Sequence, residues 1–258
     1  MNLDFAALDT ATAYPSIPTY HVIGERGMLG DATNVTFQPG EDILLTEKVD
    51  GANCRMIILP DNDYVIGNRK QLLYARGDRL ANQSEDNLAM VAALRPAAER
   101  LAEVWQGDTV LVVYAEVFGA GIGRAWTQYT ADKTKAGARW FDARTIPPTV
   151  LTWSLDRIAG WRERGHEGFA PVSTEIADSI GLKKVPPIAT CDGDDIPTGR
   201  DETEQWMADL IPASCAGIDE SGTGAPEGLV ARTNDRSKIV KFRFAEYAKT
   251  RRQLANRR

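Results

Sequence analysis

Lys48 is the residue whose setting in the sequence points most directly to chemistry. It ends an apolar run that begins at Ile43 and precedes Asp50-Gly51, a residue pair that favours tight turns. A lysine amine attacks phosphorus only when it is neutral, and its ordinary pKa of about 10.4 leaves about one lysine in a thousand neutral near pH 7.5. Neighbouring cations or burial must therefore lower its pKa if Lys48 is a nucleophile. The same pattern also fits a solvated lysine at a strand end.

Two cations near the C-terminal end are spaced to act on such a lysine. Within the segment from Lys238 to Phe244, apolar and charged residues alternate from Val240 onward. Because successive side chains of a strand point to opposite faces, Lys241 and Arg243 share one face and the apolar residues share the other. The charged face would suit a phosphate and would lower the pKa of Lys48. An ordinary edge strand with its cations facing water shows the same alternation.

Two carboxylates complete the set of residues that could do chemistry. Glu116 interrupts the apolar run from Thr109 to Phe118, where an unpaired carboxylate would cost several kcal/mol. It therefore belongs either to a structural ion pair or to a ligand site. Glu227 comes directly before Gly228, at the start of another strand-like segment.

These residues lie in segments that resemble a known family. Glu47-Lys48-Val49-Asp50-Gly51-Ala52-Asn53 resembles the first motif of the covalent nucleotidyltransferases, and specifically of RNA ligases similar to the RNA ligase 2 family. Tyr114 to Gly119 resembles the third motif, and Glu227-Gly228-Leu229-Val230 resembles the fourth. Lys241-Phe242-Arg243 is similar to the family's closing Lys-x-Lys, with arginine in place of the second lysine. The matches follow the family order.

The resemblance implies a role for each matched residue. The implied catalytic residues are Lys48, which would take AMP onto its side-chain nitrogen, Lys241, and Glu227, which would serve the adenylated state and its metal. The residues implied to bind the nucleotide are Glu47, Asn53, Arg69, Glu116, Phe141 and Arg243. Among them Glu116 would contact the ribose and Phe141 would stack on adenine, although Trp140 is an equally good candidate for the stacking role. Metal ligands cannot be assigned from the sequence.

Hydrophobic periodicity predicts the elements that must position these residues. We expect the strands Ile43–Lys48, Asn53–Leu59, Tyr64–Arg69, Thr109–Phe118, Arg139–Ile146, Gly228–Arg232 and Lys238–Phe244. Stripes spaced by three and four residues predict helices over Glu85–Trp105 and around Glu202–Leu210. Three prolines make residues 1–40 an expected irregular segment. The resemblance implies one α+β adenylation domain over residues 1–258, of mostly antiparallel sheets flanked by helices, with a basic, helical tail over residues 245–258 and no C-terminal OB-fold.

Composition excludes several other classes of protein. The 258 residues are 43% hydrophobic and 26% charged, with a formal net charge of −6 and three cysteines far apart. This composition predicts a soluble protein of the reducing cytoplasm, with no disulfide framework and no membrane segment. No paired Cys or His spacing suggests a zinc site, and no P-loop motif is present. Charge is uneven: residues 185–235 carry 11 acidic and two basic residues, whereas residues 236–258 carry nine basic residues and one acidic residue.

The expected function is therefore that of an ATP-dependent RNA ligase. It would use ATP and Mg²⁺ or Mn²⁺ to join 5′-phosphate and 3′-hydroxyl ends, through lysyl-AMP and an adenylated 5′ end. RNA, as a nicked duplex or a broken strand, is the expected partner, and DNA is the alternative partner. A DNA ligase, a capping-type guanylyltransferase that uses GTP, and a catalytically weak nucleotide-binding or RNA-binding module of the same fold are the alternatives. The sequence does not indicate an oligomeric state.

Overall fold

The chain divides into two compact units, each built from separate segments of the sequence. The computed structural model describes residues 3–81, 84–120, 122–123, 125–164, 168–169, 180–222 and 224–256. Unit 1 comprises Met1–Ser16 and Gly51–Lys184, and unit 2 comprises Ile17–Asp50 and Val185–Arg258. The chain thus passes from unit 2 to unit 1 within the turn that follows Lys48. The expectation of one domain over residues 1–258 stays a prediction.

The regular elements fall into strands and helices as follows. The strands are β1 (His21–Ile23), β2 (Leu29–Thr33), β3 (Asp42–Lys48), β4 (Ala52–Ile58), β5 (Tyr64–Asn68), β6 (Leu72–Ala75), β7 (Asp78–Arg79), β8 (Val110–Gly119), β9 (Ala136–Ile146), β10 (Pro187–Asp192), β11 (Gly228–Thr233) and β12 (Ile239–Arg243). The helices are α1 (Phe5–Thr12), α2 (Glu85–Val104), α3 (Leu155–Glu163), α4 (Arg200–Leu210) and α5 (Phe244–Ala255).

Unit 1 is an antiparallel sheet with helices on both faces, in the strand order β7-β6-β5-β4-β8-β9. Helix α2 packs its buried stripe, which includes Leu94, Ala98 and Leu101, against one face. Its N-terminus is capped by Ser84, whose side chain accepts a hydrogen bond from the Asn87 backbone N–H. Helices α1 and α3 cover the other face through a second apolar cluster that includes Leu8.

Unit 2 is a smaller antiparallel sheet with the order β10-β3-β11-β12, accompanied by the β1–β2 pair. One face of this sheet is mainly apolar, with Leu45, Leu229 and Phe242 buried at its centre. Met207 of α4 and Tyr247 of α5 pack onto that face. The opposite face carries the alternate residues of β3, β11 and β12, which include the charged residues discussed below.

The α+β class with mostly antiparallel sheets is confirmed, and each predicted strand and helix has a counterpart within a few residues. The tail is helical up to Ala255, as expected, and residues 257–258 lie outside the described residues. The prediction that residues 1–40 are irregular is wrong, because they contain α1, β1 and β2. Asp4 caps α1 by accepting hydrogen bonds from the Ala6 and Ala7 backbone N–H groups. Strand β10 was also not expected.

No helix among the described residues is both long enough and apolar enough to cross a lipid bilayer.

Candidate active site

Lys48 is the last residue of β3, and strand pairing sets what lies beside it. Gly228 of β11 pairs with Lys48 on one side and with Arg243 of β12 on the other. One step back, Val230 pairs with both Thr46 and Lys241. Because directly paired residues lie on the same face of a sheet, Lys48, Lys241 and Arg243 all project from the face opposite the apolar core. The predicted alternation of β12 is confirmed.

Lys48 contacts Glu227 directly. Its Nζ lies 2.6 Å from Glu227 Oε2, and the two side chains are 24% and 15% exposed. Burial raises the pKa of Glu227, and the Lys48 ammonium opposes that rise without cancelling it. The nearby charge of Asp50 raises the Glu227 pKa further. Glu227 is thus a half-buried carboxylate with an increased affinity for a proton, in contact with a lysine.

The position of Glu227 is fixed by the residue that follows it. A Cβ at Gly228 would lie 1.8 Å from the carbonyl oxygen of Phe242, so β11 and β12 approach too closely for any side chain there. In addition, the backbone N–H of Phe244, the residue after β12, donates a hydrogen bond to the Glu227 carbonyl at 3.0 Å. The end of β11 is therefore held to β12 at both residues, and the Glu227 side chain is directed toward Lys48.

The two cations of β12 differ in their surroundings. Lys241 is half-buried, and its backbone is fixed by hydrogen bonds to Pro18 and Tyr20. The Arg243 guanidinium donates to the Glu246 carboxylate in the first turn of α5. Arg243 is therefore held along the helix that follows it, which restrains where its charge can reach.

Glu47 lies on the opposite face from Lys48. It pairs with Leu229, belongs to the buried side of the sheet and is 1% exposed. Its carboxylate accepts hydrogen bonds from Ser214 Oγ at 2.5 Å and from the Cys215 backbone N–H at 2.8 Å. The structure therefore does not bring the Glu47 carboxylate to the face that carries Lys48.

The other predicted nucleotide-binding residues lie in unit 1. Asn53 of β4 pairs with Glu116 of β8, which pairs in turn with Arg139 of β9, so the three share a face. Glu116 Oε1 accepts a hydrogen bond from the Gly51 backbone N–H at 3.2 Å. The carboxylate that interrupts the apolar strand is therefore anchored to the start of β4.

The register between β9 and β8 shifts directly after Trp140, and Phe141 has no paired residue in β8. Phe141 is half-buried and packs with the ring of Tyr114, on the side of the sheet that α1 and α3 cover. Trp140 is buried in the opposite core, against α2. Tyr114 lies two residues before Glu116 in β8, so Phe141 is on the Glu116 side of the sheet and Trp140 is on the other side. Arg69 follows β5, is exposed, and contacts Ser16 Oγ at 3.4 Å.

Two further cations share these faces and were not predicted. Arg139 pairs with Glu116 in unit 1, and Arg232 lies on the Lys48 face of unit 2, two residues after Val230. The alternation of β11 would have placed Arg232 on that face. The alternation of β9 would likewise have placed Arg139 on the side of Phe141, because the register shift comes only after Trp140.

Known proteins are similar to this chain in sequence and in fold. A sequence model of the RNA ligase family matches residues 41–249. No curated protein matches the chain. Naegleria gruberi RNA ligase with PPi is similar in fold, with a TM-score of 0.53 and 14% identity over 93% of this chain and 64% of that chain. A mutant of the same ligase with ATP and Mn has a TM-score of 0.55 and 15% identity over 93% of this chain and 62% of that chain.

The present chain thus spans a little under two thirds of the length of these solved structures. At such identities the similarity shows a shared fold. The family model, in contrast, covers most of the sequence, from just before β3 to the middle of α5. The chain therefore belongs to the RNA ligase family.

Proposed function

We propose that this chain is an ATP-dependent RNA ligase that joins 5′-phosphate and 3′-hydroxyl ends through AMP carried on Lys48. The observation that carries this proposal is the 2.6 Å contact between Lys48 Nζ and Glu227 Oε2 on a sheet face that also presents Lys241 and Arg243. A reactive amine, a proton acceptor and two phosphate-binding cations are the groups that transfer of AMP to a lysine requires. Membership of the RNA ligase family favours RNA over DNA as the nucleic acid.

In the first step Lys48 Nζ attacks the α-phosphorus of ATP. A P–N bond forms, the bond between the α-phosphorus and the bridging oxygen to the β-phosphate breaks, and pyrophosphate leaves. The cations of β12 stabilise negative charge on the phosphate as the transition state develops. Such transfers depend mainly on positioning and electrostatics, which a rigid sheet face provides.

Glu227 accepts the proton that Lys48 must lose. It already accepts a hydrogen bond from Nζ, and burial increases its affinity for a proton. The contact also keeps Nζ in place before ATP arrives. Once AMP is attached, Lys48 no longer carries an ammonium group. After Glu227 has released its proton to solvent, its carboxylate can interact with a cation.

Four residues of unit 1 are proposed to bind the nucleotide. Glu116 would contact the ribose, Asn53 the phosphate or the RNA end, and Arg69 the nucleotide. Phe141 is proposed to stack on adenine, because it shares a sheet side with Glu116 and Asn53 whereas Trp140 is buried on the other side.

A magnesium ion fits this donor set. The described residues include no group of three or more His, Cys, Asp or Glu side chains that could hold a metal alone. Mg²⁺ usually binds through one or two carboxylates together with substrate phosphates and water. Asp50, a neighbour of Glu227, would provide that share while ATP is bound, and the ion would neutralise charge on the triphosphate. Glu227 would add its carboxylate once Lys48 carries AMP. Mn²⁺ would suit the same oxygen ligands.

Sealing follows from the adenylated enzyme. The AMP would pass from Lys48 to a 5′-phosphate, and an adjacent 3′-hydroxyl would displace it, so that a new phosphodiester bond forms and AMP leaves. The basic helix α5 and the residues after it are proposed to contact RNA phosphates. Arg251 of this helix is paired with Glu204, so it contributes less charge than the sequence suggests.

The test is incubation with ATP labelled at the α-phosphate and Mg²⁺, followed by a denaturing gel. The protein is first treated with pyrophosphate to remove any AMP already attached. We expect a labelled band with wild type and with Lys183→Ala, a matched control in which an exposed lysine is removed, and no band with Lys48→Ala. Absence of a band from wild type would overturn the proposal. A band from GTP instead of ATP would support the guanylyltransferase alternative.

A second assay separates the candidate nucleic acids. Nicked RNA duplex, a broken RNA strand and nicked DNA duplex are offered to the labelled enzyme, and joined product is measured. We expect faster joining of RNA than of DNA. Preference for the DNA nick would reassign the chain as a DNA ligase, and RNA binding without adenylation would favour the binding-module alternative.

A further inference from the structure

Glu47 makes a contact that the proposed chemistry does not use. Its carboxylate is buried beneath the sheet of unit 2, on the apolar side, beside Leu229. Burial of a carboxylate costs several kcal/mol unless hydrogen bonds compensate. Both oxygens of Glu47 have such partners: Ser214 Oγ donates to Oε1, and the Cys215 N–H donates to Oε2.

The partners of Glu47 belong to the loop that follows α4. Ser214 is itself held in this loop, because its Oγ accepts from the Ala216 backbone N–H at 3.2 Å. The Glu47 backbone N–H donates to the Pro186 carbonyl at 3.0 Å, just before β10 begins. Glu47 therefore connects the end of β3 with two other segments of unit 2, both distant in sequence.

We propose that Glu47 is a positioning residue for Lys48 and does not contact the nucleotide. Successive residues of a strand point to opposite faces, so fixing the Glu47 side chain below the sheet fixes the direction in which Lys48 leaves it. The proposal deepens the adenylyltransferase function and rests on it. It also replaces the nucleotide-binding role that the family resemblance implied for Glu47.

Strand register gives this contact a second consequence. Lys48 meets Glu227 because Gly228 pairs with Lys48 and Leu229 pairs with Glu47. A slip of one residue between β3 and β11 would turn every side chain of β3 to the wrong face. The Glu47 carboxylate, hydrogen-bonded to the loop at Ser214 and Cys215, opposes such a slip where β3 ends.

Three variants test the proposal through lysyl-AMP formation measured over a range of ATP concentrations. Glu47→Gln leaves one acceptor oxygen for two donors, and Ser214→Ala removes one donor from the loop without changing Glu47. The third variant combines both substitutions. Glu220→Gln, a substitution at an exposed glutamate in the same region of the sequence, is the matched control.

We expect Glu47→Gln and Ser214→Ala each to lower the maximal rate by about tenfold or more, the cost of a reacting group displaced by a fraction of an ångström to about 1 Å. The KM for ATP should change less than about twofold, and the double variant should be no slower than the worse single variant, as coupled residues behave. A large rise in KM for Glu47→Gln, with Ser214→Ala unaffected, would show that Glu47 binds ATP and would overturn the proposal.

A measurement that does not require activity separates this proposal from the ligase proposal. Hydrogen–deuterium exchange of peptides covering residues 42–50 should be faster in Ser214→Ala than in wild type, while peptides from α2 exchange as before. Unchanged exchange at residues 42–50 would overturn the positioning role even if wild type forms lysyl-AMP. If exchange is faster in Ser214→Ala but wild type forms no lysyl-AMP, the ligase proposal is refuted and the structural role of the Glu47 contact is retained.

Discussion

At the scale of single residues, the contact between Lys48 and Glu227 would make the proposed reaction depend on pH. Glu227 can accept a proton only when it is ionised. Because burial raises its pKa, it becomes protonated at a higher pH than an ordinary glutamate, whose pKa is about 4.3. On acidification, lysyl-AMP formation should therefore be inhibited at a higher pH than if Glu227 were a solvent-exposed carboxylate.

We predict that the rate of lysyl-AMP formation falls on acidification with a midpoint above the ordinary glutamate pKa. Glu227→Gln should lower the rate by about a hundredfold or more, the usual contribution of a positioned proton acceptor, and should remove this acidic limb. Quenched-flow measurement between pH 4.5 and 9 provides the profile. If Glu227→Gln kept both the rate and the acidic limb, Glu227 would have no part in proton transfer.

Phe141 and Trp140 allow a second prediction. Because they lie on opposite sides of one sheet, their substitution by alanine should affect different properties, ATP binding in one case and stability in the other. Phe141→Ala should raise the KM for ATP by about five- to a hundredfold, since stacking on a base contributes about 1–3 kcal/mol. Trp140→Ala should instead lower the free energy of unfolding by about 3–5 kcal/mol, because it empties a buried position against α2. ATP titration and urea unfolding of both variants separate the two effects. The opposite pattern would assign the stacking role to Trp140.

At the scale of elements, the junction of β11 with β12 holds Glu227 in place. We predict that Gly228→Ala lowers the free energy of unfolding by about 1–3 kcal/mol or more, because its Cβ would collide with the Phe242 carbonyl and push the strands apart. Lysyl-AMP formation should be lost with it. Gly160→Ala in α3 is the matched control: no atom lies within 4 Å of its added Cβ, and we expect slight stabilisation. Equal urea midpoints for the two variants would contradict this account of β11.

Strand β1 is joined to α5 by a buried histidine. His21 Nε2 lies 2.9 Å from the Thr198 carbonyl and Nδ1 lies 2.9 Å from Tyr247 Oη. Because a carbonyl only accepts, Nε2 donates to it and Nδ1 accepts from Tyr247. Burial lowers the pKa of His21, so the unfolded chain binds a proton more readily than the folded chain.

We therefore predict that stability falls as the pH drops below about 6.5, where an unfolded histidine takes up its proton. The loss should continue down to the lowered pKa of the folded state. His21→Gln, which has no such titration, should show a smaller loss between pH 7 and pH 5.5 in urea unfolding experiments. An identical pH dependence in wild type and variant would exclude His21 as the cause.

Local sequence patterns predicted the elements whose buried side follows from hydrophobic periodicity alone. The alternation of β12 and the three-four stripe of α2 fix which side is buried, whatever those sides pack against. Strand β10 could not be found in this way, because it is a short edge strand without a buried and exposed alternation, and it forms by pairing with β3, more than a hundred residues away. Helix α1 carried a readable signal, the cap at Asp4, which the nearby prolines obscured.

The roles of the candidate site residues stay predictions, but the structure shows to which face of the sheet some of them belong. Lys48 and the cations of β12 share a face, as alternation requires. Glu227 precedes β11, and its contact with Lys48 does not follow from alternation. Glu47 was assigned to the nucleotide by its place in a motif, although the alternation that puts Lys48 on one face puts its neighbour on the other. The loop that provides the partners of Glu47 could not be inferred, because contact between residues 47 and 214 depends on tertiary packing.

At the scale of the whole molecule, the distribution of charge determines how the chain would bind RNA. The chain has a net charge of −6, so its long-range field does not favour a polyanion. Binding must then rely on local cations, such as Lys241 and those of α5, with release of counterions from the RNA. That mode of binding depends steeply on salt, whereas the transfer of AMP to Lys48 involves no nucleic acid.

We predict that joining of RNA at subsaturating concentration falls about tenfold or more between 50 and 200 mM salt, as expected for a few phosphate contacts. Lysyl-AMP formation should fall much less over the same range. Both steps are measured with the same enzyme preparation in potassium chloride. Parallel salt dependence of the two steps would place the effect on ATP binding and would contradict RNA capture by local cations.

The loop that holds Glu47 also offers a way to observe this region without substrate. Cys215, whose backbone N–H bonds to Glu47, has an exposed side chain, whereas Cys54 is buried and Cys191 is half-buried. Burial and the charge of Glu47 raise the pKa of the Cys215 thiol, so a maleimide would react with it slowly but still ahead of Cys54. A fluorophore attached there would stand beside the end of β3. Its anisotropy would report in real time whether that end tightens as AMP is transferred.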